Sequence, residues 1–339
     1  MIKIPQKFID FFFSFGLMFI GLFLLFIFSV TIENNIEKKL FPASDIRKET
    51  NFLEKSLDKF PLSKPAWPLV KNELLFTGTS TAASILIVDV QSDKQLFEKN
   101  SQNVRSLASI TKLMTMMVLL DLPIDWNSST LILDADCDSS SHQLKPGDNL
   151  KLSDLWNVAL VSSANSAIKA LVRNSGVTPE KFVEMMNNKA KELNLSSLFF
   201  TEPTGLGSGN VGNAKDVAGL LKEALKSEKI LKSLQIGQYT TKPLNNEKPR
   251  QVYSTNWLLT KWMPNEFPMD KIVGKTGFIY DSGYNFVVRL ADKKDHQIIV
   301  VVLGAQNSEA RFSEARDLAD WIFDNYLWPD EEGYVELIR

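Results

Sequence analysis

Ser109 and Lys112, in the segment SLASITKLMT (residues 106–115), have the spacing of a nucleophile and its base. Residues three apart share one face of a helix, so the two side chains can meet. A serine hydroxyl is a weak nucleophile, and a lysine can be its base only when the amine is neutral. Burial lowers a lysine pKa, and a helix N-terminus directs free N–H groups at a developing oxyanion. The same S-x-x-K pattern occurs at Ser56 and Ser166, but only Ser109 opens a long apolar helix directly after a predicted hairpin.

A second candidate element is Ser163-Ala164-Asn165, which interrupts two apolar helical runs in VALVSSANSAIKALV. A kink at this point would present Ser163 and Asn165 to a cleft. Ser163 could then relay a proton to a leaving amine, and Asn165 could hold a substrate amide. The alternative interpretation is a polar turn between two packed helices.

The third element is Lys275-Thr276-Gly277, a triplet that lies on a predicted strand. Gly277 would allow another chain segment to approach closely. Lys275 and Thr276 could bind a carboxylate, and the backbone N–H groups of Phe278 and Ser109 could together form an oxyanion hole. The alternative is the end of a strand with a solvated lysine.

The elements that must position these motifs follow from the hydrophobic patterns. Strand patterns cover residues 83–90 and 94–100, and they return at 270–278, 285–292 and 296–305. A mostly helical block lies between them, and an amphipathic helix over 311–326 follows the last strand. We therefore predict an α/β fold: a mainly antiparallel five-stranded sheet flanked by helices, plus a helical lobe at about 115–245.

The N-terminal segment has a different character. Residues 11–32 carry no charge, and as a helix they would extend ~33 Å, enough to cross a bilayer core of ~30 Å. Ser29-Val30-Thr31 is a poor cleavage site, so we expect an uncleaved transmembrane helix with its N-terminus in the cytoplasm. The predicted organisation is a cytoplasmic tip and signal anchor (1–33), a juxtamembrane stalk (34–75) and an extracytoplasmic catalytic domain (76–339), which makes a single-pass protein of the cell membrane.

Composition argues against several other classes of protein. The chain has 339 residues and a net charge of −2, and we find no nucleic-acid-binding motif in it. Its one cysteine, Cys137, cannot form an intrachain disulfide, and with only two histidines a structural zinc site is not expected. We expect no metal, no cofactor and no nucleic-acid partner.

In this order, the three motifs resemble those of penicillin-binding proteins and β-lactamases. From about residue 80 to 328 the chain resembles the serine D-Ala-D-Ala carboxypeptidases, the low-molecular-mass penicillin-binding proteins. RSLASITKLMT resembles the nucleophile block of that family, and LKLSDLWNVALVSSANSAIKALV resembles its S-x-N helix pair. FFTEPTGLGSGNVGNAKDVAGLL resembles a family segment that reads Asn-Pro-x-Gly-Leu before a helix. LGAQNSEARF resembles the segment whose arginine helps to hold the substrate carboxylate, which nominates Arg311.

The resemblance implies a β-lactamase/transpeptidase-like fold and a role for each matched residue. Ser109 would be the acylated nucleophile and Lys112 its base, Ser163 and Lys275 would belong to the proton network, and Asn165 would orient the substrate. Thr276, Gly277, Phe278 and Arg311 would bind the substrate, with Thr276 and Arg311 on its terminal carboxylate. The implied substrate is a peptidoglycan stem peptide that ends in D-Ala-D-Ala, and β-lactams would be covalent inhibitors.

Two rival functions share these motifs. A class A-like β-lactamase needs a glutamate that activates the deacylating water. Glu202 is a candidate, but the Pro-Thr-Gly-Leu that follows it fits the peptidase pattern, and we interpret Glu202 as a surface substitution. A non-catalytic β-lactam- or wall-sensing protein would keep the pocket without turnover.

Ile279 and Ser282 depart from the family pattern. The sequence leaves carboxypeptidase, endopeptidase and transpeptidase activities open.

Overall fold

The computed structural model describes residues 67–71, 76–138 and 143–335. The predicted membrane span at 11–32 and most of the predicted stalk lie outside these residues. Within the described ranges, no helix is both long enough and apolar enough to cross a bilayer.

The strands in chain order are β1 (Leu69–Val70), β2 (Ser84–Asp89), β3 (Gln95–Lys99), β4 (Arg105–Ser106), β5 (Ser129–Leu131), β6 (Asn149–Lys151), β7 (Val211–Gly212), β8 (Gln238–Thr241), β9 (Arg250–Tyr253), β10 (Val273–Ile279), β11 (Gly283–Ala291), β12 (Gln297–Ala305) and β13 (Tyr326–Leu327). The helices of the described ranges are α1 (Lys112–Leu120), α2 (Leu152–Val161), α3 (Asn165–Arg173), α4 (Pro179–Glu192), α5 (Ala214–Ala224), α6 (Glu228–Leu234) and α7 (Ala310–Asn325).

The central feature is a five-stranded sheet in the order β10-β11-β12-β2-β3, with every neighbouring pair antiparallel. The predicted five-stranded antiparallel sheet is thereby confirmed. Strands from both ends of the domain meet in this sheet. Strand β2, near its start, pairs with β12, near its end. Strand β10, which carries the Lys-Thr-Gly triplet, lies at one edge of this sheet.

Alternate residues of strand β2 face two separate hydrophobic cores. Ile85 and Ile87 belong to a buried cluster with Phe312 of α7. Leu86 belongs instead to the cluster of the helical lobe, together with Leu113 of α1. Successive side chains of a strand point to opposite faces, so helices cover both faces of the sheet. This burial on both sides explains the uninterrupted apolar runs ILIV and IIVVVL in β2 and β12.

The helical lobe is formed by α1 to α6, with the hairpins β5–β6 and β8–β9 beside them. Three of its helices begin at residues that satisfy free N–H groups, and Ser227 is the one before α6. The Thr178 hydroxyl accepts from the N–H of Lys181 before α4, with Pro179 at the first helical position. The Asn213 amide oxygen accepts from the N–H of Asp216 at the start of α5, over 2.8 Å. These caps fix where the lobe helices start.

Strand β1 lies within the segment that the sequence assigned to the stalk. It pairs antiparallel with β13, and the N–H of Lys71 donates to the carbonyl of Asn325 over 2.8 Å. These residues therefore belong to the folded unit, which begins before residue 76.

Candidate active site

Ser109 lies in a short 3₁₀ helix, Ala108–Thr111, that leads directly into α1. The sequence predicted one continuous helix from this point, whereas the regular α-helix begins at Lys112. Ala108 has a φ of +48°, in the left-handed region that costs free energy for a residue with a Cβ. The sharp turn keeps Ser109 partly exposed while Lys112 is buried.

The Lys112 amine is fully buried and has three oxygen partners. Its Nζ lies 2.7 Å from the Oγ of Ser109 and 2.7 Å from the Oδ1 of Asn165. It also donates to the carbonyl oxygen of Thr204 over 2.6 Å. Burial lowers the pKa of Lys112 to about 7, against the opposing influence of the carboxylates of Glu202 and Asp138. A substantial neutral fraction, which a base requires, is therefore present at neutral pH.

Ser163 lies in the break between α2 and α3, with a φ of +61°. The Nζ of Lys275 donates to the Oγ of Ser163 over 2.8 Å and to the carbonyl of Thr276 over 2.9 Å. Burial, and then the positive charges of Lys112 and Arg311, hold the pKa of Lys275 well below its usual value. The predicted S-x-N and K-T-G elements therefore meet: Lys275 contacts Ser163, and Asn165 contacts Lys112.

Gly277 brings strand β10 against the 3₁₀ turn Ala108–Thr111 that carries Ser109, here called the nucleophile turn. A Cβ at this position would lie 2.6 Å from the carbonyl oxygen of Leu107 and 3.2 Å from the backbone nitrogen of Ser109. Only glycine fits this approach without a backbone shift. Phe278 follows on the same strand, with its ring stacked on Tyr284 at 4.2 Å between centroids. The oxyanion hole from the N–H groups of Ser109 and Phe278 stays a prediction, supported by this approach.

Arg311, in the first turn of α7, is buried beside the same strand. Its Nη1 donates to the carbonyl of Gly277 over 3.2 Å, and its Nη2 donates to Ser308 over 3.1 Å. The buried Nε has no hydrogen-bond partner, and no carboxylate of the described ranges forms an ion pair with this guanidinium. Burial lowers the pKa of Arg311 to about 10, so the group stays cationic at neutral pH. A buried cation without a counter-ion is a candidate site for the carboxylate of a ligand.

Thr276, the other residue predicted to bind a carboxylate, is buried on β10. Its Oγ1 lies 2.6 Å from the Oγ1 of Thr255, a residue that sequence reasoning did not select. Thr255 lies just after β9, and no pattern in the sequence linked it to the Lys-Thr-Gly triplet. The pair of hydroxyls extends the polar wall of the site beyond the strand.

Glu202 is half-buried rather than a surface substitution, and this corrects the interpretation made from the sequence. Its carboxylate accepts from the N–H groups of Thr204 and Gly205, over 2.7 and 2.6 Å, and from the Nδ2 of Asn210 over 3.0 Å. A polar residue just before Pro-Thr-Gly is a turn signal that could have indicated this role. The carboxylate is held by its own loop, so its geometry does not favour a role in activating water.

Metal ligands are not grouped in this region. Across the described parts of the chain, no three His, Cys, Asp or Glu side chains lie close enough together to hold a metal ion. The polar groups that converge at the site are two lysines, two serines, an asparagine, two threonines and an arginine.

Residues 72–307 match the family of D-alanyl-D-alanine carboxypeptidases, the S11 peptidases. The chain belongs to this family. The match covers well over half of the chain and includes both lysines, both serines and the Lys-Thr-Gly triplet of the site; Arg311 lies four residues beyond it.

Individual relatives of the family agree with this assignment. D-alanyl-D-alanine carboxypeptidase DacF of Bacillus subtilis is 29 % identical over 252 residues, which are 72 % of this chain and 63 % of that protein. The chain thus spans less than two thirds of that relative. A D-alanyl-D-alanine endopeptidase of Pseudomonas aeruginosa is 31 % identical over 245 residues, 71 % of this chain and 77 % of that protein.

Solved structures resemble the fold. Penicillin-binding protein D2 from Listeria monocytogenes, crystallised in its cefotaxime-bound form, is similar with a TM-score of 0.62 and 26 % identity. The similarity covers 74 % of this chain and 100 % of that one. The shared part is the α/β fold with its antiparallel sheet and surrounding helices.

Proposed function

We propose that this chain is a serine-type D-Ala-D-Ala carboxypeptidase that removes the terminal D-Ala from peptidoglycan stem peptides. The observation that carries the proposal is the contact of 2.7 Å between the Nζ of Lys112 and the Oγ of Ser109. The amine in this contact is buried and has its pKa lowered to about 7. A nucleophile with a neutral base in hydrogen-bond range is the arrangement that acyl transfer requires.

The reaction begins when neutral Lys112 takes the proton of Ser109. The Oγ then attacks the carbonyl carbon of the penultimate D-Ala, and the N–H groups of Ser109 and Phe278 hold the resulting oxyanion. The C–N bond breaks, and the proton that Lys112 took passes through Ser163, whose hydroxyl accepts a hydrogen bond from Lys275, to the leaving D-Ala amine. Neutral Lys112 then takes a proton from water as the water oxygen attacks the acyl carbonyl, and it returns that proton to the Oγ of Ser109 as the ester bond breaks.

The substrate is recognised on both sides of the bond that breaks. Asn165, which accepts from Lys112, orients the substrate amide. The terminal carboxylate lies against Thr276 of strand β10 and the buried cation of Arg311 in α7. β-Lactams, which carry a carboxylate next to a reactive amide, acylate Ser109 in the same way and act as covalent inhibitors.

Endopeptidase activity on cross-linked stem peptides is a second candidate function. A groove of about 720 Å³ is lined by Ser254 and by the rings of Tyr253, Trp257 and Trp262. Ser254 of this groove is the residue before Thr255 in the chain, and the hydroxyl of Thr255 contacts that of Thr276. The single D-Ala that a carboxypeptidase releases needs no such space, whereas the second stem peptide that an endopeptidase releases does. Release of D-Ala and cleavage of a cross-linked dimer, measured on one preparation, distinguish the two activities.

We also propose that residues 11–32 anchor the protein in the cell membrane, with the catalytic domain on the extracytoplasmic side. The uncharged run in the sequence supports this placement. The full chain should sediment with membranes and resist extraction by salt. A variant that lacks residues 1–33 should be released, and retention of that variant on membranes would argue for another anchor.

Covalent labelling with a fluorescent penicillin tests the enzyme proposal directly. The wild-type chain should form an adduct that persists for hours, and Ser109→Ala should lose both this adduct and D-Ala release at nearly unchanged thermal stability. An adduct that turns over in seconds would favour a β-lactamase. A stable adduct without any D-Ala release would favour a sensing protein. Undiminished D-Ala release by Ser109→Ala would contradict the assignment of the nucleophile.

A further inference from the structure

The loop 201–210, here called the Glu202 loop, is organised around a single carboxylate. Besides the N–H groups of Thr204 and Gly205, Glu202 accepts from the hydroxyl of Thr204 over 2.5 Å. It also accepts from the N–H of Gly207 over 3.4 Å and from the amide of Asn210 over 3.0 Å. Five donors of the loop therefore converge on the two carboxylate oxygens. The Asn210 side chain supports the same loop by accepting from three donors and by donating to Glu202 and Thr111.

The Glu202 loop in turn contacts the segment that carries Ser109 and Lys112. The Thr204 carbonyl accepts from Lys112, and the Pro203 carbonyl accepts from the hydroxyl of Thr115 over 2.6 Å. Gly205 has a φ of +84°, and a Cβ there would lie 2.0 Å from the carbonyl oxygen of Ala108. The loop therefore packs directly on the nucleophile turn.

The carbonyl of Thr204 is the contact that matters most for the lysine. Lys112 has three oxygen partners, and the other two are Ser109 and Asn165, which face the substrate. Thr204 is the partner on the Glu202 loop, two residues from the carboxylate that binds its N–H. If this carbonyl were displaced, the flexible Lys112 side chain could move its Nζ away from the Oγ of Ser109.

We propose that Glu202 is a positioning residue, which builds the loop that holds Lys112 in line with Ser109. The inference rests on the proposed function, because it assigns Glu202 a part in the same acylation step. Glu202 touches neither the substrate nor the nucleophile in this arrangement, and it acts through the carbonyl of Thr204.

The charge of Glu202 has a second, separable effect. The charged groups that act on Lys112 are the carboxylates of Glu202 and Asp138, which raise its pKa. The charge of Lys112 in turn lowers the pKa of Lys275. Removal of the Glu202 charge should therefore lower the pKa of Lys112 further. Since Lys112 must be neutral to act as the base, the acid limb of the pH–rate profile should then move to lower pH.

The test compares Glu202→Gln and Glu202→Ala in the full chain, with the second-order rate of penicillin acylation measured from pH 5 to 9. Glu202→Ala should lose about 100-fold on the plateau, as expected for a displaced catalytic group. Glu202→Gln keeps one acceptor oxygen, so its plateau should lie well above that of Glu202→Ala, with the acid limb moved to lower pH. A Glu202→Ala plateau within twofold of wild type would overturn the proposal.

Two control variants separate charge, positioning and general stability. Asp138→Asn removes a charge that acts on Lys112 but lies outside the Glu202 loop, so it should move the limb and leave the plateau near wild type. Glu314 organises another segment in a similar way: it accepts from Ser80, from the N–H groups of Thr81 and Ala82, and from the Thr81 hydroxyl. Glu314→Gln should lower the melting temperature without moving the limb. If Glu314→Gln moved the acid limb as far as Glu202→Gln does, the shift would not be specific to charges near Lys112.

A direct titration keeps this inference separate from the proposed function. The ¹³C NMR signal of the Lys112 side chain, assigned from its absence in Lys112→Met, reports the pKa of the amine without any turnover. A lower pKa in Glu202→Gln supports the coupling even if the wild-type chain does not release D-Ala. An unchanged pKa together with an unchanged plateau would refute both parts of the inference.

Discussion

At the scale of single residues, the proposed chemistry depends on two buried lysines. Lys112 contacts Ser109, and Lys275 contacts Ser163. Each is desolvated, and the positive charge of Lys112 lowers the pKa of Lys275 further. Burial disfavours the charged form of an amine, and this leaves a neutral fraction of Lys112 that can act as the base near pH 7.

The pH dependence of acylation follows from the pKa of Lys112. This pKa is about 7, and only the neutral amine can accept the proton of Ser109. The value of kcat/KM should therefore rise with pH through an acid limb centred near pH 7, because the free enzyme loses the Lys112 proton there. Stopped-flow acylation with a chromogenic cephalosporin measures this profile. A limb centred below pH 5 would assign the base role to a carboxylate instead.

Arg311 gives a second prediction at this scale. The guanidinium has no carboxylate partner among the described residues and lies on the carbonyl of Gly277. Arg311→Ala should therefore slow the cleavage of peptides with a free C-terminal carboxylate by ~10-fold or more, since a charge-assisted contact is lost. Amidated peptides should lose far less. Equal losses on the two substrates would show that Arg311 supports the fold of β10 rather than binding the carboxylate.

At the scale of elements, the site exists where an edge strand, a 3₁₀ turn and a helix break converge. Strand β10 is the edge of the five-stranded sheet, so one side of its backbone is not paired by another strand of that sheet. The nucleophile turn at 108–111 packs against this strand, and the break between α2 and α3 brings Ser163 to Lys275. Each element contributes one motif, and none of them forms the site alone.

Gly277→Ala tests the contact between β10 and the nucleophile turn. The new Cβ would lie 2.6 Å from the Leu107 carbonyl, so the turn that carries Ser109 must shift. Acylation should fall by about 100-fold, as expected for a displacement of the reacting atoms of about 1 Å. Gly237→Ala is a matched control, because a Cβ at that position has no neighbour within 4 Å. Wild-type acylation by Gly277→Ala would contradict the close approach.

At the scale of the whole molecule, the sheet separates two cores and joins the two ends of the domain. One core lies under α7 and contains Phe312, next to Arg311, and the other lies in the helical lobe and contains residues of α1. Arg311 thus lies next to one core and Ser109 next to the other. A site built between two packed cores is held more rigidly than a site on loops alone.

Much of this architecture could be predicted from the sequence. The strand segments, the helical block and the closing helix follow from local periodicity, since a strand buried on both faces must be apolar throughout. The three motifs could be selected because the residues within each one are close along the chain, as Ser109 is to Lys112, Ser163 to Asn165 and Lys275 to Gly277. Local geometry alone brings such residues together, whatever the rest of the fold does.

The tertiary structure decided the contacts between distant parts of the chain. Lys112 meets Thr204 across 92 residues, and Lys275 meets Ser163 across 112. The roles of Glu202 and Thr255 depend on such contacts, and for this reason the sequence assigned Glu202 to the surface. The sequence by itself determined which side chains could do chemistry. Only the packing of the lobe on the sheet determined which of them are buried, and burial is what makes a lysine a base.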